Sequence, residues 1–159
     1  MKIKLQQLLF LYIAVTLINT GCTVNQTEQK KTDSLAANIK MYTHTWDEIM
    51  NKGRLDLFNE SNFTKDVVMH ASPKDEVGID SARAYYANYL TGFSNITFTI
   101  KDVFGQRNKL VKHWNFKGTN TGIFFGMPPT GKKVDLDGVT LVRMQDGKIA
   151  EERDFFDNL

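Results

Sequence analysis

The dipeptide Asp146-Gly147 constrains the fold of this chain more than any other feature, because it is a strong signal for a two-residue β-hairpin turn. A type I′ turn needs a positive φ at both central residues, which aspartate and glycine tolerate well. Strand-like sequence runs from Val134 to Met144 before the dipeptide and from Lys148 to Phe156 after it. The last third of the chain therefore predicts one long antiparallel hairpin.

The turn also predicts how the two arms pair. An uninterrupted two-residue hairpin places Leu141 opposite Glu152 and Val139 opposite Asp154. Side chains alternate between the faces of a strand, so both acidic residues would share a face with Val139, Leu141 and Phe156. We therefore predict that a carboxylate lies on an apolar surface.

The other face of the same hairpin has a different predicted role. In this register it carries four residues, namely Thr140, Val142, Met144 and Ile149. Such a patch is too apolar to remain exposed to water. We therefore predict a homodimer that forms through the outer face of the sheet.

The rest of the chain predicts helices first and strands later. Apolar residues recur at helical spacing up to Gly53 (Leu35, Ile39, Tyr42, Trp46 and Ile49). A short helix at 55–58, a strand at 66–71, a helix at 81–90 and strands at 96–104 and 110–116 follow. This order is typical of the α+β class. We expect a curved antiparallel sheet wrapped around the N-terminal helices, with a pocket between them.

Length and charge narrow the possible functions. The 159 residues suffice for one domain of ordinary size. Lysine and arginine number 20, and aspartate and glutamate number 18. Without Lys2 and Lys4, which lie in a segment that we expect to be cleaved, the charges balance. This composition argues against a nucleic-acid-binding protein.

The N-terminus predicts export. Residues 1–21 combine a basic start, an apolar stretch and small residues, the pattern of a signal peptide. The sequence Asn19-Thr20-Gly21-Cys22 resembles a bacterial lipoprotein signal, in which the cysteine is acylated. We expect a polar tether at 22–33, a domain at 34–159 and a membrane lipoprotein, periplasmic or on the surface, that contacts the membrane only through its lipid. The alternative is a secreted protein with an unmodified Cys22.

Several motifs carry a resemblance to a known family. They are Gly118-Thr119-Asn120-Thr121-Gly122, the run from Phe125 to Lys132 (FGMPPTGK), Gly147-Lys148-Ile149 and Asp154-Phe155-Phe156-Asp157. Together they resemble the SnoaL-like polyketide cyclases, or predicted ester cyclases, of the nuclear-transport-factor-2-like superfamily. The tail from Arg153 to Asp157 is also similar to that of the limonene-epoxide-hydrolase branch.

The resemblance implies a cone-shaped fold, a deep apolar pocket, frequent dimerisation and an aspartate base that needs no metal or cofactor. The family commonly has histidine at the position of Asn120, and an aromatic residue or histidine where this chain has Glu152-Arg153. No metal-binding spacing is present, since the three histidines lie at positions 44, 70 and 113.

Asp154 is the predicted catalytic base, because a carboxylate among apolar side chains loses hydration and becomes a stronger base. Asp157 is the fallback base. His70 is the predicted partner that stabilises an oxyanion. The predicted substrate-binding residues are Asn120, His113, Trp46 and Tyr86. His113 and Trp114 face opposite ways on one strand, so one of the two should reach the pocket.

Two functions fit these features. The first is general-base chemistry of the cyclase, isomerase or hydratase type on a small apolar carbonyl compound. The second is a lipid-anchored protein that binds a small molecule in the same pocket without chemistry. The second hypothesis fits an exported protein, because polyketide intermediates are made in the cytoplasm.

Overall fold

The structure is a computed structural model that describes residues 34–156. The predicted signal peptide, the tether with Cys22 and the fallback base Asp157 lie outside these residues. Helix α1 covers 34–52, and a short 3-10 turn follows at Leu55–Leu57. The remaining elements are β1 (Phe63–His70), β2 (Glu76–Val77), α2 (Ile79–Gly92), β3 (Phe93–Gln106), β4 (Lys109–Asn120), β5 (Lys133–Gln145) and β6 (Lys148–Phe156).

The six strands form one mixed sheet in the order β2-β1-β6-β5-β4-β3. Strand β1 runs parallel to β6, and all the other neighbours are antiparallel. The α+β class predicted from the order of elements is therefore confirmed. Strands β3 and β4 are longer than predicted, because their pairing continues from the tight turn near Arg107 to Phe93 and Asn120.

Helix α1 buries the face that its apolar spacing predicted. Tyr42, Trp46 and Ile49 are at most 1% exposed. Asn51, near the end of the helix, fixes it to the sheet, since its side chain donates to the Phe98 carbonyl and accepts from the Phe98 N–H, both at 2.8 Å. Within residues 34–156, neither helix is long and apolar enough to cross a membrane.

The hairpin turn has the predicted geometry, with φ of 50° at Asp146 and 77° at Gly147. The predicted register holds only for the first pairs. Met144 lies opposite Ile149, but Arg143 lies opposite Glu151, so β6 contains one extra residue, Ala150. This irregularity is a β-bulge, which shifts every later pair by one residue.

The bulge corrects the predicted partners of the acidic residues. Val142, not Leu141, lies opposite Glu152, and Thr140, not Val139, lies opposite Asp154. Leu141 is 48% exposed on the other face of the sheet.

The residues proposed for the dimer face were also wrong. Thr140, Val142, Met144 and Ile149 are at most 4% exposed and belong to the interior. The outer face instead exposes Phe104, Leu141 and Phe155, which are 48–56% exposed. The homodimer itself stays a prediction.

Asn120 ends β4 and holds the loop at 121–132 in place. Its side-chain amide donates to the carbonyls of Gly92 and Gly122, at 2.9 and 3.0 Å. Its side-chain oxygen accepts from the Thr130 N–H and hydroxyl, at 2.8 and 2.9 Å. This residue therefore joins the end of α2 to both ends of the loop.

Candidate functional site

A cavity of about 400 Å³ lies between the inner face of the sheet, the two helices and the loop at 121–132. Trp46 and Met50 come from α1, and Tyr86 and Tyr89 come from α2. The strands and the loop supply the rest: Phe93, Phe98, Lys112, Trp114, Phe116, Phe124, Phe125, Val134, Leu136, Asp154 and Phe156. Only Lys112 and Asp154 among these residues carry charged groups.

Aromatic rings form most of the cavity wall and pack mainly edge to face. The Trp46 and Tyr86 rings lie 4.6 Å apart between centroids, and Tyr89 and Phe124 lie 5.1 Å apart. Edge-to-face packing of this kind is favourable beyond the area that it buries. The volume and lining are typical of a site for a small, largely apolar ligand.

Asp154 presents its carboxylate at the cavity wall, and two hydroxyl groups hold it there. The Tyr86 hydroxyl donates to Oδ2 at 3.2 Å, and the Thr140 hydroxyl donates to Oδ1. Trp114 Nε1 donates to Thr140 Oγ1 at 2.9 Å, which orients that hydroxyl. The carboxylate is therefore fixed from α2 and β5 at once.

Tyr86 remains a hydroxyl donor over the physiological pH range. Burial, and then the nearby Asp154 charge, raise the pKa of its phenol well above the usual 10. A neutral phenol donates to a carboxylate and stabilises its charged form. Tyr86 therefore positions Asp154 and does not itself act as a base.

Glu152 lies two residues before Asp154 on the same face of β6 and is 1% exposed. Trp46 Nε1 donates to its Oε1 at 2.9 Å, while its buried Oε2 has no hydrogen-bond partner among residues 34–156. Tyr42 lies beside Glu152, and its hydroxyl likewise has no hydrogen-bond partner in the described part of the chain. Burial raises the pKa of Glu152 to about 7, although the Lys112 charge opposes the rise.

Lys112 is the only cation among the described residues that line the cavity, and its side chain lies on the inner face of β4. The residue is 3% exposed. Its Nζ lies 4.5 Å from the centre of the Trp46 ring, and 5.3 and 5.4 Å from those of Tyr42 and Phe98. The faces of three aromatic rings therefore surround this ammonium group.

A second, more polar cavity of about 420 Å³ adjoins the first and shares Tyr86, Asp154 and Phe156 with it. Its lining also includes His70 and Glu152. Asp154 therefore stands between an aromatic space and a polar one.

The structure brings three of the predicted site residues to the aromatic cavity, namely Asp154, Trp46 and Tyr86. His70 lies in the adjoining cavity, but Asp75 and Glu151 engage its ring nitrogens at 3.0 and 2.8 Å. Both ring nitrogens of His70 are therefore engaged by carboxylates.

Two predicted binding residues lie outside the aromatic cavity. The His113 side chain is 45% exposed on the outer face of β4, where Nε2 lies 3.9 Å from Asp137, while Trp114 faces inward. The side chain of Asn120 uses its hydrogen bonds to hold the loop. His113 lies outside the cavity because side chains alternate between the faces of a strand. Asn120 lies outside it because its side chain is engaged in holding the loop.

The sequence prediction missed Lys112, Thr140 and Glu152 as site residues. A signal for Lys112 was present, because it alternates with Leu110, Trp114 and Phe116 along one strand and so shares their face. Thr140 was placed on the wrong face, since nothing in the sequence marked the bulge at Ala150. Among the residues that the structure describes, no three histidine, cysteine or acidic side chains converge on a possible metal site.

The raised pKa of Glu152 predicts a pH-dependent stability. The folded carboxyl has a pKa of about 7 against the usual 4.5, so it binds a proton more tightly than the unfolded one. Folding stability should therefore fall as the pH rises through this window. Glu152→Gln removes the titration and keeps the acceptor for Trp46. We expect its stability relative to the wild type to rise by about 3 kcal/mol between pH 4 and pH 8.

Urea denaturation of both proteins at pH 4, 6 and 8 measures this difference. The exposed Glu60 provides a matched control, because Glu60→Gln makes the same change away from the interior. A stability difference for Glu152→Gln that stays constant from pH 4 to pH 8 would show that this carboxyl does not titrate abnormally.

Comparison with known proteins identifies the fold. A SnoaL-like protein from Jannaschia sp. CCS1 is 25% identical, with a TM-score of 0.67 over 77% of this chain and 87% of that one. TsrD from Streptomyces laurentii is 19% identical, with a TM-score of 0.68 over 76% of this chain and 89% of that one.

A protein with a ketosteroid isomerase-like fold from Catenulispora acidiphila DSM 44928, solved in complex with trimethylamine, is similar as well. It is 14% identical, with a TM-score of 0.60 over 73% of this chain and 85% of that one. No match was found among the curated proteins.

The sequence itself also matches a family. Residues 39–159, which are more than half of the chain, match the family model of the SnoaL-like polyketide cyclases. The α+β arrangement of two helices and a six-stranded mixed sheet agrees with this match. The protein belongs to the SnoaL-like polyketide cyclase family.

Proposed function

We propose that this protein is an enzyme that removes a proton from carbon next to the carbonyl group of a small aromatic or apolar ligand, with Asp154 as the base. The observation that carries the proposal is the Asp154 carboxylate, which Tyr86 and Thr140 hold at the wall of an aromatic cavity. Membership of the cyclase family supports it. The substrate would be a compound of polyketide or similar chemistry.

The reaction would begin when a ligand fills the aromatic cavity and displaces water from Asp154. One carboxylate oxygen takes the proton from carbon, the electron pair of the C–H bond forms a carbon–carbon double bond, and the π pair of the carbonyl group moves to its oxygen to give an enolate. The enolate carbon then attacks a second carbonyl carbon within the ligand, whose oxygen takes the proton from Asp154, or the proton returns to a different carbon of a conjugated enolate. The first outcome is cyclisation and the second is isomerisation.

The hydroxyls of Tyr86 and Thr140 have a defined part in this step. They hold the carboxylate in one orientation, which lowers the cost of reaching the reactive geometry. They also donate hydrogen bonds to both of its oxygens. The carboxyl group that results can return its proton to the product.

A second function remains open for the same cavity, namely binding of a small molecule without chemistry. Both oxygens of Asp154 already accept hydrogen bonds, an arrangement that also suits a structural carboxylate. The signal-like N-terminus favours this alternative, since an exported protein would not meet cytoplasmic intermediates.

Deuterium exchange on β-tetralone, a bicyclic aromatic ketone, tests the proposal without knowledge of the natural substrate. The ketone is dissolved in heavy water with the protein, and loss of its α-proton signals is followed by NMR. We expect exchange above the buffer rate with the wild type and a decrease of about 100-fold or more with Asp154→Asn, since the amide cannot act as a base. Binding of the ketone should survive the change.

Asp137→Asn is the matched control, because Asp137 is exposed and pairs with Lys101 at the surface. Exchange that is equally fast in Asp154→Asn and the wild type contradicts a base role for Asp154. Binding of the ketone by the wild type without any exchange supports the second function.

We also propose that the mature protein is anchored to a bacterial membrane through a lipid on Cys22. The support is the signal-like segment at 1–21 and the position of the chain's single cysteine directly after it. Cys22→Ser should release the protein from the membrane fraction, because each buried methylene of an acyl chain contributes about 0.8 kcal/mol. Fractionation of cells that express the two proteins measures this, and a variant that stays on the membrane contradicts acylation.

We propose separately that the protein forms a homodimer through the outer face of the sheet. The support is the exposure of Phe104, Leu141 and Phe155 on that face. Sedimentation velocity of the chain from Thr23 onward measures the state, and a monomer at micromolar concentration rejects the dimer.

A further inference from the structure

Lys112 is a charged group in an otherwise aromatic part of the cavity, and its burial needs a physical reason. An ammonium group that leaves water loses a large hydration energy unless other groups replace that water. Ring faces replace part of it here, with three centroids 4.5 to 5.4 Å from Nζ. Ring faces attract the cation but do not fill the directions of its N–H donors in the way that a carboxylate does.

The acidic groups nearby do not complete the site. Among residues 34–156, no carboxylate oxygen lies within ion-pair distance of Lys112 Nζ, although the Glu152 charge is close enough to be affected by it. The pKa of Glu152 is about 7, so at neutral pH this group carries only part of a negative charge. Asp154 is held by its own two hydroxyl donors. Lys112 therefore keeps donor capacity toward the cavity that it lines.

We propose that the cavity binds aromatic ligands that carry an anionic oxygen, such as an enolate, phenolate or carboxylate, and that Lys112 Nζ binds this oxygen. The proposal rests on the proposed function and gives it a substrate class. The oxygen that gains charge when Asp154 removes a proton would then lie against the one cation that residues 34–156 contribute to the lining. An ammonium in a water-poor site stabilises such a charge more strongly than the same group does in water.

A pair of fluorescent probes tests this assignment. Anilinonaphthalene sulfonate and N-phenyl-naphthylamine share the same ring system, and only the first carries a negative charge. At pH 7 we expect the wild type to bind each with one-to-one stoichiometry, each to displace the other, and the sulfonate to bind more tightly. Lys112→Met should weaken sulfonate binding by about tenfold or more and change the binding of the neutral probe by less than about threefold.

Lys109→Met is the matched control, because Lys109 lies on the same strand but is exposed. It should change neither affinity. Equal effects of Lys112→Met on both probes, or no effect on either, would overturn the role of Lys112 and leave the proposed function standing. Failure of both probes to bind the wild type would overturn the ligand cavity and hence both proposals.

If Lys112→Met does not fold, the relative affinities of the wild type for the two probes test the anion site. Tighter binding of the neutral probe than of the sulfonate would then contradict an anion site. Asp154→Asn provides a second measurement, because removal of a negative charge from the same cavity should strengthen sulfonate binding and leave the neutral probe nearly unaffected. Unchanged sulfonate binding in that variant would count against an electrostatic contribution in this cavity.

Discussion

The extra residue in β6, Ala150, decides which face of the sheet carries the acidic residues. Before it, Ile149 points inward opposite Met144, and a regular strand would then send Glu152 and Asp154 outward. The bulge reverses this alternation, so both carboxyl groups point inward with Thr140 and Val142 beside them. The hydrogen bonds from Tyr86, Thr140 and Trp46 all depend on this reversal.

The resulting interior combines an aromatic wall with a few polar groups whose environments differ. Asp154 accepts two hydroxyl hydrogen bonds at the boundary of two cavities, whereas Glu152 is buried and has one oxygen without a partner among the described residues. Carboxyl groups only two residues apart therefore have different surroundings. Lys112 adds a positive charge from β4, on the inner face of the same sheet.

Much of the fold follows from short-range sequence signals, but the pairing of the last hairpin does not. Asp146-Gly147 predicted the turn, and helical spacing predicted the buried face of α1, because both depend on local backbone preferences. The bulge has no such signal, since Ala150 has no special backbone preference. It allows both Ile149 and Glu152 to lie in the interior, which a regular strand would not do. The sequence predicts Asp154 on the inner face, but with the wrong neighbours. It also predicts His113 and Asn120 in the pocket, whereas strand alternation turns His113 outward and the side chain of Asn120 holds the loop.

A crystal structure of the chain from Thr23 onward with β-tetralone bound would show both the register of β6 and the position of the ligand. We expect the ketone among the aromatic rings, with its α-carbon within about 3.5 Å of an Asp154 oxygen. Asp154 on the exposed face beside Leu141, or a ketone bound only outside the cavity, would contradict this expectation.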